Sequence, residues 1–425
     1  MSKQSAALAP SYDPAAIERE VYAAWEKAGL FASAPEEGRE AFCILLPPPN
    51  VTGTLHMGHA FQHAVMDAYA RAERMRGKNV LWQPGTDHAG VGTHIVVSRA
   101  LRREGLDPET MDRGEFLARV REWKEGSASA IGVQMRRLGD SCDWARDCFT
   151  LDPGPSAVVR EAFVRLHEEG LVYRGKRLVN WDPKLLTALA DLEVTSAEEE
   201  GVMHHVRYPF ADGDGDGVVI ATTRPETILV DGAVAVAPDD PRHQKLVGRM
   251  VRVPCTERTI PVIADEHVDA SFGSGCVKIT PAHDFNDYEV AQRHPEIPVI
   301  ELMTPAAVLN DNAPAAYRGL DRYAAREKII ADLKDQGLLV KSEPHRYQLP
   351  RGERSGVVVE PMLSDQWFLR MAPLAERALA ARRGGRVEFV PPLWGGVYDR
   401  WLENIKDWCI SRQIDWGHPI PAWRD

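Results

Sequence analysis

At 425 residues the chain exceeds what one hydrophobic core usually supports, so two or three domains are expected. Hydrophobic residues at 44% and charged residues at 27% are ordinary for a water-soluble globular protein, and no apolar run approaches membrane length. A formal net charge of −11 argues against bulk attraction to nucleic acid, while leaving room for a local basic groove. Six cysteines, at positions 43, 142, 148, 255, 276 and 409, form no C-x-x-C pair, which fits reduced thiols and gives no zinc signature. The first ten residues lack the apolar stretch of a secretory leader, so a cytoplasmic protein is expected.

Residues 12–30, from Tyr12 through Trp25 to Leu30, read as an amphipathic helical lead-in. Phe42 to Leu46 is a short apolar run of buried-strand type. Pro47, Pro48 and Pro49 cannot continue it, because proline has no N–H to donate and a fixed φ. Gly53 frees the backbone, and a helix is expected to begin near His56. Phe61, Ala64, Val65, Ala68, Tyr69, Ala72 and Met75 then recur at helical spacing until Gly77 stops the pattern. Asn79 to Trp82 reads as a second strand, ending at Pro84-Gly85-Thr86-Asp87-His88-Ala89-Gly90. Strand, loop, helix and strand make a βαβ unit of an open parallel sheet. Ligands in such sheets sit outside the carboxyl ends of the strands, where Asn50 to His59 and Thr86 to His88 both fall. His56 and His59 share one face at the positive end of the helix, a place suited to phosphate. By itself H-x-G-H is as easily a turn with polar histidines; the flanking strands and prolines favour the phosphate reading.

Helical segments are expected around Met111–Leu138 and Ser156–Glu169. Near Glu198-Glu199-Glu200 the texture changes to short β-type runs at Val202–Tyr208, Val218–Thr222, Val230–Val236, Val251–Val253 and Cys276–Thr280. The Asp-Gly repeat between Ala211 and Gly217 lacks the spacing and terminal glutamate of a calcium loop, and reads as a hairpin tip. From about Pro344 the pattern shifts again, with Trp367, Trp394, Trp401, Trp408, Trp416 and Trp423. The expected fold is α/β: a doubly wound, parallel-sheet nucleotide-binding domain interrupted by a β-rich insertion.

The run P-P-P-N-V-T-G-T-L-H-M-G-H-A from Pro47, followed by P-G-T-D-H-A-G from Pro84, resembles the valyl-tRNA synthetases, within the class I aminoacyl-tRNA synthetases. The similarity continues through Asn180-Trp181-Asp182-Pro183, Ala221 to Thr227, Lys278 to Tyr288 and Trp408 to Gln413, so it covers nearly the whole chain. It implies three segments. Residues 1–194 would be an N-terminal helix and the first half of the catalytic domain, 195–345 an editing insertion, and 346–425 a return to the catalytic domain.

The activity implied is ATP-dependent joining of valine to tRNA-Val, with ATP as substrate, Mg2+ accompanying it, and no protein-bound metal. A carboxylate attacks the α-phosphate and pyrophosphate leaves, so donors fixed in advance around the phosphates are worth most. The resemblance assigns Thr54, His56 and His59 to the ATP phosphates and Gly58 to close approach of the nucleotide. Thr54 can also serve as a helix cap. Asp87 would hold the valine ammonium, which is costly to bury unpaired. Pro47 and Asn50 would surround the amino acid, with Trp416 walling its side chain. Threonine is nearly isosteric with valine, and the handling of this pair by valyl-tRNA synthetase is a standard example of weak selection by shape, about a hundredfold. A second, hydrolytic site is therefore expected, lined by Thr222, Arg224, Phe272, Lys278, Thr280 and Asp287. Asp287 would bind the mischarged ammonium; Thr222, Lys278 and Thr280 would order the substrate hydroxyl and the attacking water. His283 and Asp284 read as helix-capping residues ahead of metal ligands.

Several positions depart from the family pattern, among them Asp415 in place of a tryptophan, Pro419, Val91 to His94, and Val230 with Gly232-Ala233. No K-M-S-K-S motif occurs. The resemblance places that motif, the rest of the sheet and an anticodon-binding domain after Asp425. The chain alone is therefore expected to be severely impaired in ATP–pyrophosphate exchange unless a second polypeptide supplies them. Two other readings stand beside the ligase: a stand-alone hydrolase of mischarged tRNA, and an inactive truncated remnant.

Overall fold

The computed structural model describes residues 11, 13–271 and 273–423. Tyr12 and Phe272, both named above, lie outside the described residues. The chain divides into two compact units, one of residues 1–164 with 414–425, the other of residues 165–413.

The first unit opens with α1 (Pro14–Lys27), its first turn held by Asp13, whose Oδ1 accepts from the Ala15 N–H at 3.1 Å. Strand β1 (Ala41–Leu45), helix α2 (Met57–Met75) and strand β2 (Asn79–Gln83) follow, and β1 pairs with β2 in parallel from Ala41↔Asn79 to Leu45↔Gln83. This is the expected βαβ unit. Helix α3 (Gly90–Arg103) and the long α4 (Arg113–Leu138) cover it, and α5 (Pro153–Glu168) leads onward. Asp112 caps α4 and Gly139, at φ +86°, ends it; only a residue without a Cβ takes that conformation freely. Phe116, Val120, Ile131 and Met135 fall on one face of α4 and divide between two clusters. Ile131 and Met135 join Val80 and Trp82 of β2, while Phe116 and Val120 join Val51, Val97, Leu101, Phe149 and Trp416. Each such side chain, fully buried, contributes about 1.5–3 kcal/mol.

The second unit is mostly strands. β3 (Val172–Asp182), β4 (Thr187–Leu189), β12 (Glu360–Leu369) and β13 (Trp408–Cys409) form one antiparallel sheet in the order β13-β12-β3-β4. β5 (Val194–Tyr208), β6 (Val218–Thr222) and β11 (Leu339–Gly352) form a second, with β5 in the centre. β7 (Ala233–Val236), β8 (Met250–Arg252), β9 (Thr259–Ala264) and β10 (Cys276–Ile279) form a third, in which β7 and β9 run parallel. Helices α6 (Phe285–Arg293), α7 (Arg322–Asp335), α8 (Ala372–Arg383) and α9 (Leu393–Glu403) complete it.

The turn between Tyr208 and Val218 joins two paired strands, as the Asp-Gly repeat suggested. Three readings need correction. Val230 closes a 3-10 turn (Pro225–Val230) instead of opening a strand, because Pro225 starts the turn and the Thr227 hydroxyl bonds back to Arg224 O at 2.9 Å. β5 runs through Glu198–Glu200, since the ribbon supplies partners: Arg351 bridges Glu199 and Arg346 bridges Glu200. β9 was not anticipated, because Pro261 interrupts its pattern, yet Pro261 pairs opposite Met250.

Candidate active and hydrolytic sites

In the first unit, the prolines and the Thr86–His88 turn are stitched together by backbone. Val51 N–H donates to Asp87 O and Asp87 N–H donates to Pro49 O, both at 2.9 Å. Asn50 and Asp87 therefore face each other as a parallel bridge, with Pro47 and Asn50 exposed and Pro49 buried. α4 holds the loop from behind: Trp123 Nε1–H donates to Val51 O at 2.9 Å, the Ser127 hydroxyl to Gly53 O at 2.6 Å, and Gln134 Oε1 accepts Leu55 N–H at 2.8 Å.

The cap of α2 is His56, which corrects the reading of Thr54 as the cap. His56 Nδ1 accepts the Gly58 N–H at 3.1 Å, while His59 Nδ1 accepts the His56 N–H at 3.2 Å. Both rings thus use Nδ1 as acceptor, so their protons sit on Nε2 and are free to donate outward. The rings lie 3.9 Å apart at their centroids. Gly58 is required by this arrangement: a Cβ there would stand 2.9 Å from His56 Cε1. Burial, then the neighbouring His56 and His63, hold His59 below the usual histidine range. Thr54 is exposed and lines a separate cavity of about 470 Å³ with Gly53, Trp123 and Arg119.

Asp87 is anchored by Thr150, whose hydroxyl donates to Asp87 Oδ1 at 3.0 Å and accepts the His88 N–H at 2.9 Å. Because that hydroxyl proton is committed, His88 Nδ1 must be the donor in its 2.7 Å contact with Thr150 Oγ1. Partial burial pushes the Asp87 carboxyl up, but His88 and Thr150 outweigh it and hold it below the usual carboxylate range. Trp416 is buried, donates Nε1–H to His88 O at 2.9 Å and lies against Phe149 at 6.2 Å between centroids. Asp87, Asn50 and Trp416 thus form one group; His56, Gly58 and His59 form another along the same loop, and no hydrogen bond joins the two groups among the described residues. Asp415 is paired to Arg113 at 2.6 Å. Thr150 was not anticipated, and nothing in the local pattern singles it out; His88 fell in the Thr86–His88 turn but carried no assigned role.

In the second unit, Lys278 and Thr280 alternate along β10 and its end, so they share a face. Lys278 Nζ donates to Thr280 Oγ1 and, at 3.3 Å, to Asp231 Oδ1, which also accepts the Thr280 hydroxyl. Asp287 is buried in the first turn of α6, and its Oδ2 accepts the Thr280 N–H at 2.7 Å. Burial, and then Asp284, push the Asp287 carboxyl up to about 7. Asp284 caps α6, accepting from Asn286 and Asp287 N–H groups, whereas His283 caps nothing: its Nε2 accepts Leu302 N–H at 2.9 Å. Burial, then the charges of Arg224 and Lys278, drive His283 down to about 3, so its ring is neutral. Thr222 Oγ1 accepts the Arg224 N–H at 3.0 Å. The Arg224 guanidinium is already engaged by Glu226 at 3.2 Å, by His283 O at 2.9 Å and by Glu360. Glu226 in turn takes two bonds from Arg326, at 2.7 and 2.8 Å. Thr222 and Arg224 are thus tied to the cluster through the Thr280–His283 turn, where His283 N–H donates to Thr280 O at 3.0 Å. Among the described residues no group of three or more His, Cys, Asp or Glu is arranged to hold a metal ion. Among them, too, no helix is long and apolar enough to cross a membrane.

Residues 20–425 match the profile of the tRNA synthetases class I (I, L, M and V), and the chain belongs to that family. Within it, the chain is similar to valine–tRNA ligases. It is 56% identical to that of Legionella pneumophila (strain Lens) over 415 residues, 98% of this chain and 45% of the relative. It is 55% identical to that of Dechloromonas aromatica (strain RCB), covering 98% of this chain and 45% of the relative. The enzyme of Xanthomonas campestris pv. campestris (strain B100) gives 55% over 98% of this chain and 46% of the relative. The chain therefore spans less than half the length of these curated relatives. Among solved structures, the LeuRS–tRNA–LeuAMS complex of Agrobacterium radiobacter K84 aligns with a TM-score of 0.40 and 20% identity, over 83% of this chain and 49% of that one.

Proposed function

We propose that this chain carries the amino-acid-activating site of a valine–tRNA ligase acting in the cytoplasm on valine, ATP and tRNA-Val. The observation that carries the reading is the pairing of two features on adjoining loops, the one after β1 and the one after β2, which the Asn50–Asp87 bridge joins. One is a helix N-terminus whose histidine cap leaves two Nε2–H donors free; the other is a carboxylate held ionised beside a tryptophan. Asp87 takes the valine ammonium and Trp416 bounds the side chain, so the valine carboxylate is presented toward the α-phosphate of ATP. His56 and His59 donate to the phosphate oxygens as pyrophosphate leaves, where fixed donors lower the barrier most. Mg2+ would come with the ATP phosphates, adding positive charge there. Titration calorimetry of this chain with a non-hydrolysable valyl-adenylate analogue is the test. Asp87→Asn should weaken binding about tenfold to a hundredfold, the value of a charged hydrogen bond of roughly 1.5–3 kcal/mol. Equal affinity in both proteins would reject the assignment.

Residues 195–345 are proposed as the editing insertion that hydrolyses threonyl-tRNA. Support comes from the pairing of β5 with β11 at its two ends and from the convergence of Lys278, Thr280 and Asp287. That cluster lies wholly inside one unit, which favours, as a second reading, hydrolysis without activation. Deacylation of threonyl-tRNA by this chain in the absence of valine and ATP tests both. No deacylation would exclude the hydrolytic site.

A further inference from the structure

Asp231 sits between the Pro225–Val230 turn and β7 with no solvent exposure, one carboxylate inside an otherwise apolar stretch. Its Oδ2 accepts the hydroxyl of Tyr208 at 2.6 Å, and Tyr208 is likewise fully buried. Its Oδ1 accepts both the Thr280 hydroxyl and, at 3.3 Å, the Lys278 ammonium. Arg258 Nη2 donates to the Asp231 backbone oxygen at 2.9 Å, fixing the main chain at the same place. A buried carboxylate with a merely structural task needs hydrogen bonds, but it has no need of a partner that itself reaches solvent. The Lys278 side chain does so, at 11% exposure, and it bonds to Thr280, which is buried at 1%.

We propose that Asp231 is a positioning residue of the hydrolytic site, setting which polar atoms Lys278 and Thr280 present to a bound aminoacyl ester. This rests on the editing reading above. A threonine hydroxyl has one proton and two lone pairs. Asp231 takes the proton and Lys278 occupies one lone pair, so Thr280 faces the site as an acceptor only. An ammonium has three N–H groups. Asp231 and Thr280 take one each, which leaves a single, directed donor on Lys278, whose side chain is 11% exposed while that of Asp231 is 0% exposed. Without Asp231 the hydroxyl can rotate to donate, and Lys278 can swing its free donors away from the site. Asp287 is fixed separately through the Thr280 amide, so it is not displaced by the loss of Asp231.

The test is a double-mutant cycle on the full chain with threonyl-tRNA as substrate, using Asp231→Asn, Lys278→Met and the pair. Asparagine keeps the shape; with its oxygen held by the Tyr208 hydroxyl, it turns an amide N–H toward Thr280 and Lys278 in place of the acceptor they share. Asp231→Asn should lower kcat about tenfold to a hundredfold with KM nearly unchanged, the cost of a lost charged hydrogen bond. In the Lys278→Met background it should cost clearly less, because only the part of the effect that runs through Thr280 remains. Costs that multiply would overturn the proposal. Tyr208→Phe, which touches only the far oxygen, should leave kcat within about threefold of the parent. A second readout does not need hydrolysis: the acetylation rate of Lys278 under limiting acetic anhydride, followed by peptide mass spectrometry. It should rise several-fold in Asp231→Asn, because Lys278 Nζ loses the Asp231 oxygen that holds it at 3.3 Å and is freer to meet the reagent. Unchanged labelling of Lys278 overturns the positioning role. If the parent protein shows no deacylation, the hydrolytic reading fails, and labelling alone decides what Asp231 does.

Discussion

Replacing Asp287 by asparagine should flatten the pH dependence of stability in the second unit. The Asp287 carboxyl is pushed up to about 7, by burial first and then by Asp284, against the downward pull of Lys278 and the Thr280 amide. In the unfolded chain an aspartate titrates near ~3.9. Between about pH 4 and about pH 7 the folded chain therefore keeps a proton that the unfolded chain has released, and stability falls as pH rises through that window. The contribution is fully present below about pH 4 and lost above about pH 7. Three pH units at ~1.4 kcal/mol each set a ceiling of roughly 4 kcal/mol, and structural relaxation around the charged form lowers it. Asparagine retains an oxygen for the Thr280 amide, which now donates at 2.7 Å, but does not titrate. Urea unfolding of both proteins at intervals from about pH 4.5 to about pH 8 gives the difference curve, in which the other titrating groups cancel. The parent should lose at least ~1.5 kcal/mol relative to Asp287→Asn across that range. Parallel curves would refute the reasoning. The same proton bears on function, since only the ionised carboxylate can pair with an ammonium.

Trp416→Ala should destabilise the first unit by about 3–5 kcal/mol in urea unfolding, and Trp416→Phe, which loses the bond to His88 O and part of the buried ring, by about 1–3 kcal/mol. If Trp416→Ala leaves affinity for the valyl-adenylate analogue intact, the tryptophan is not the pocket wall. His59→Ala removes the acceptor for the His56 N–H and should cost about 0.5–2 kcal/mol of stability. His59→Asn should recover much of that stability without recovering nucleotide affinity, and recovery of both would show that the histidine serves only as a cap. Arg326→Met leaves buried Glu226 with Arg224 alone and should cost about 3–5 kcal/mol, part of which Glu226→Gln should restore in the double variant. A thermal scan showing no shift for Arg326→Met would mean that water replaces the lost partner.

What the sequence disclosed was mostly local. The βαβ unit could be read because Phe42 to Leu46 and Asn79 to Trp82 are bounded by proline and glycine, and because the apolar period of α2 is clean. The role of Gly58 was harder to see, since it depends on where the His56 ring lies and not on any property of glycine in a helix. His56 displaced Thr54 as the cap for the same reason: imidazole is an uncommon capping group, and only the second histidine reaching back makes the pair work. Thr150 reaches Asp87 across 63 positions of sequence, a distance no periodicity spans. Asp231 did leave a signal, a lone acid between Val230 and the apolar run of β7. Buried acids among valines are rare unless something pairs them, but the partners lie in β5 and β10.

The long pairing of β5 with β11, from Val194↔Gly352 to Val206↔Leu339, has a consequence for how this protein can be altered. The chain departs along one strand and comes home along its neighbour, so any cut across the ribbon leaves two ends only about 4.5–5.5 Å apart. A two-residue Asn-Gly turn spans such a gap without stretching either strand. Everything beyond the cut is linked covalently through these two ends alone. Yet Arg224 and Arg322 also pair with Glu360, and Trp181 donates to Pro305 O at 2.8 Å, so a deletion that keeps the strands at the root in register must also replace Glu360 and Trp181.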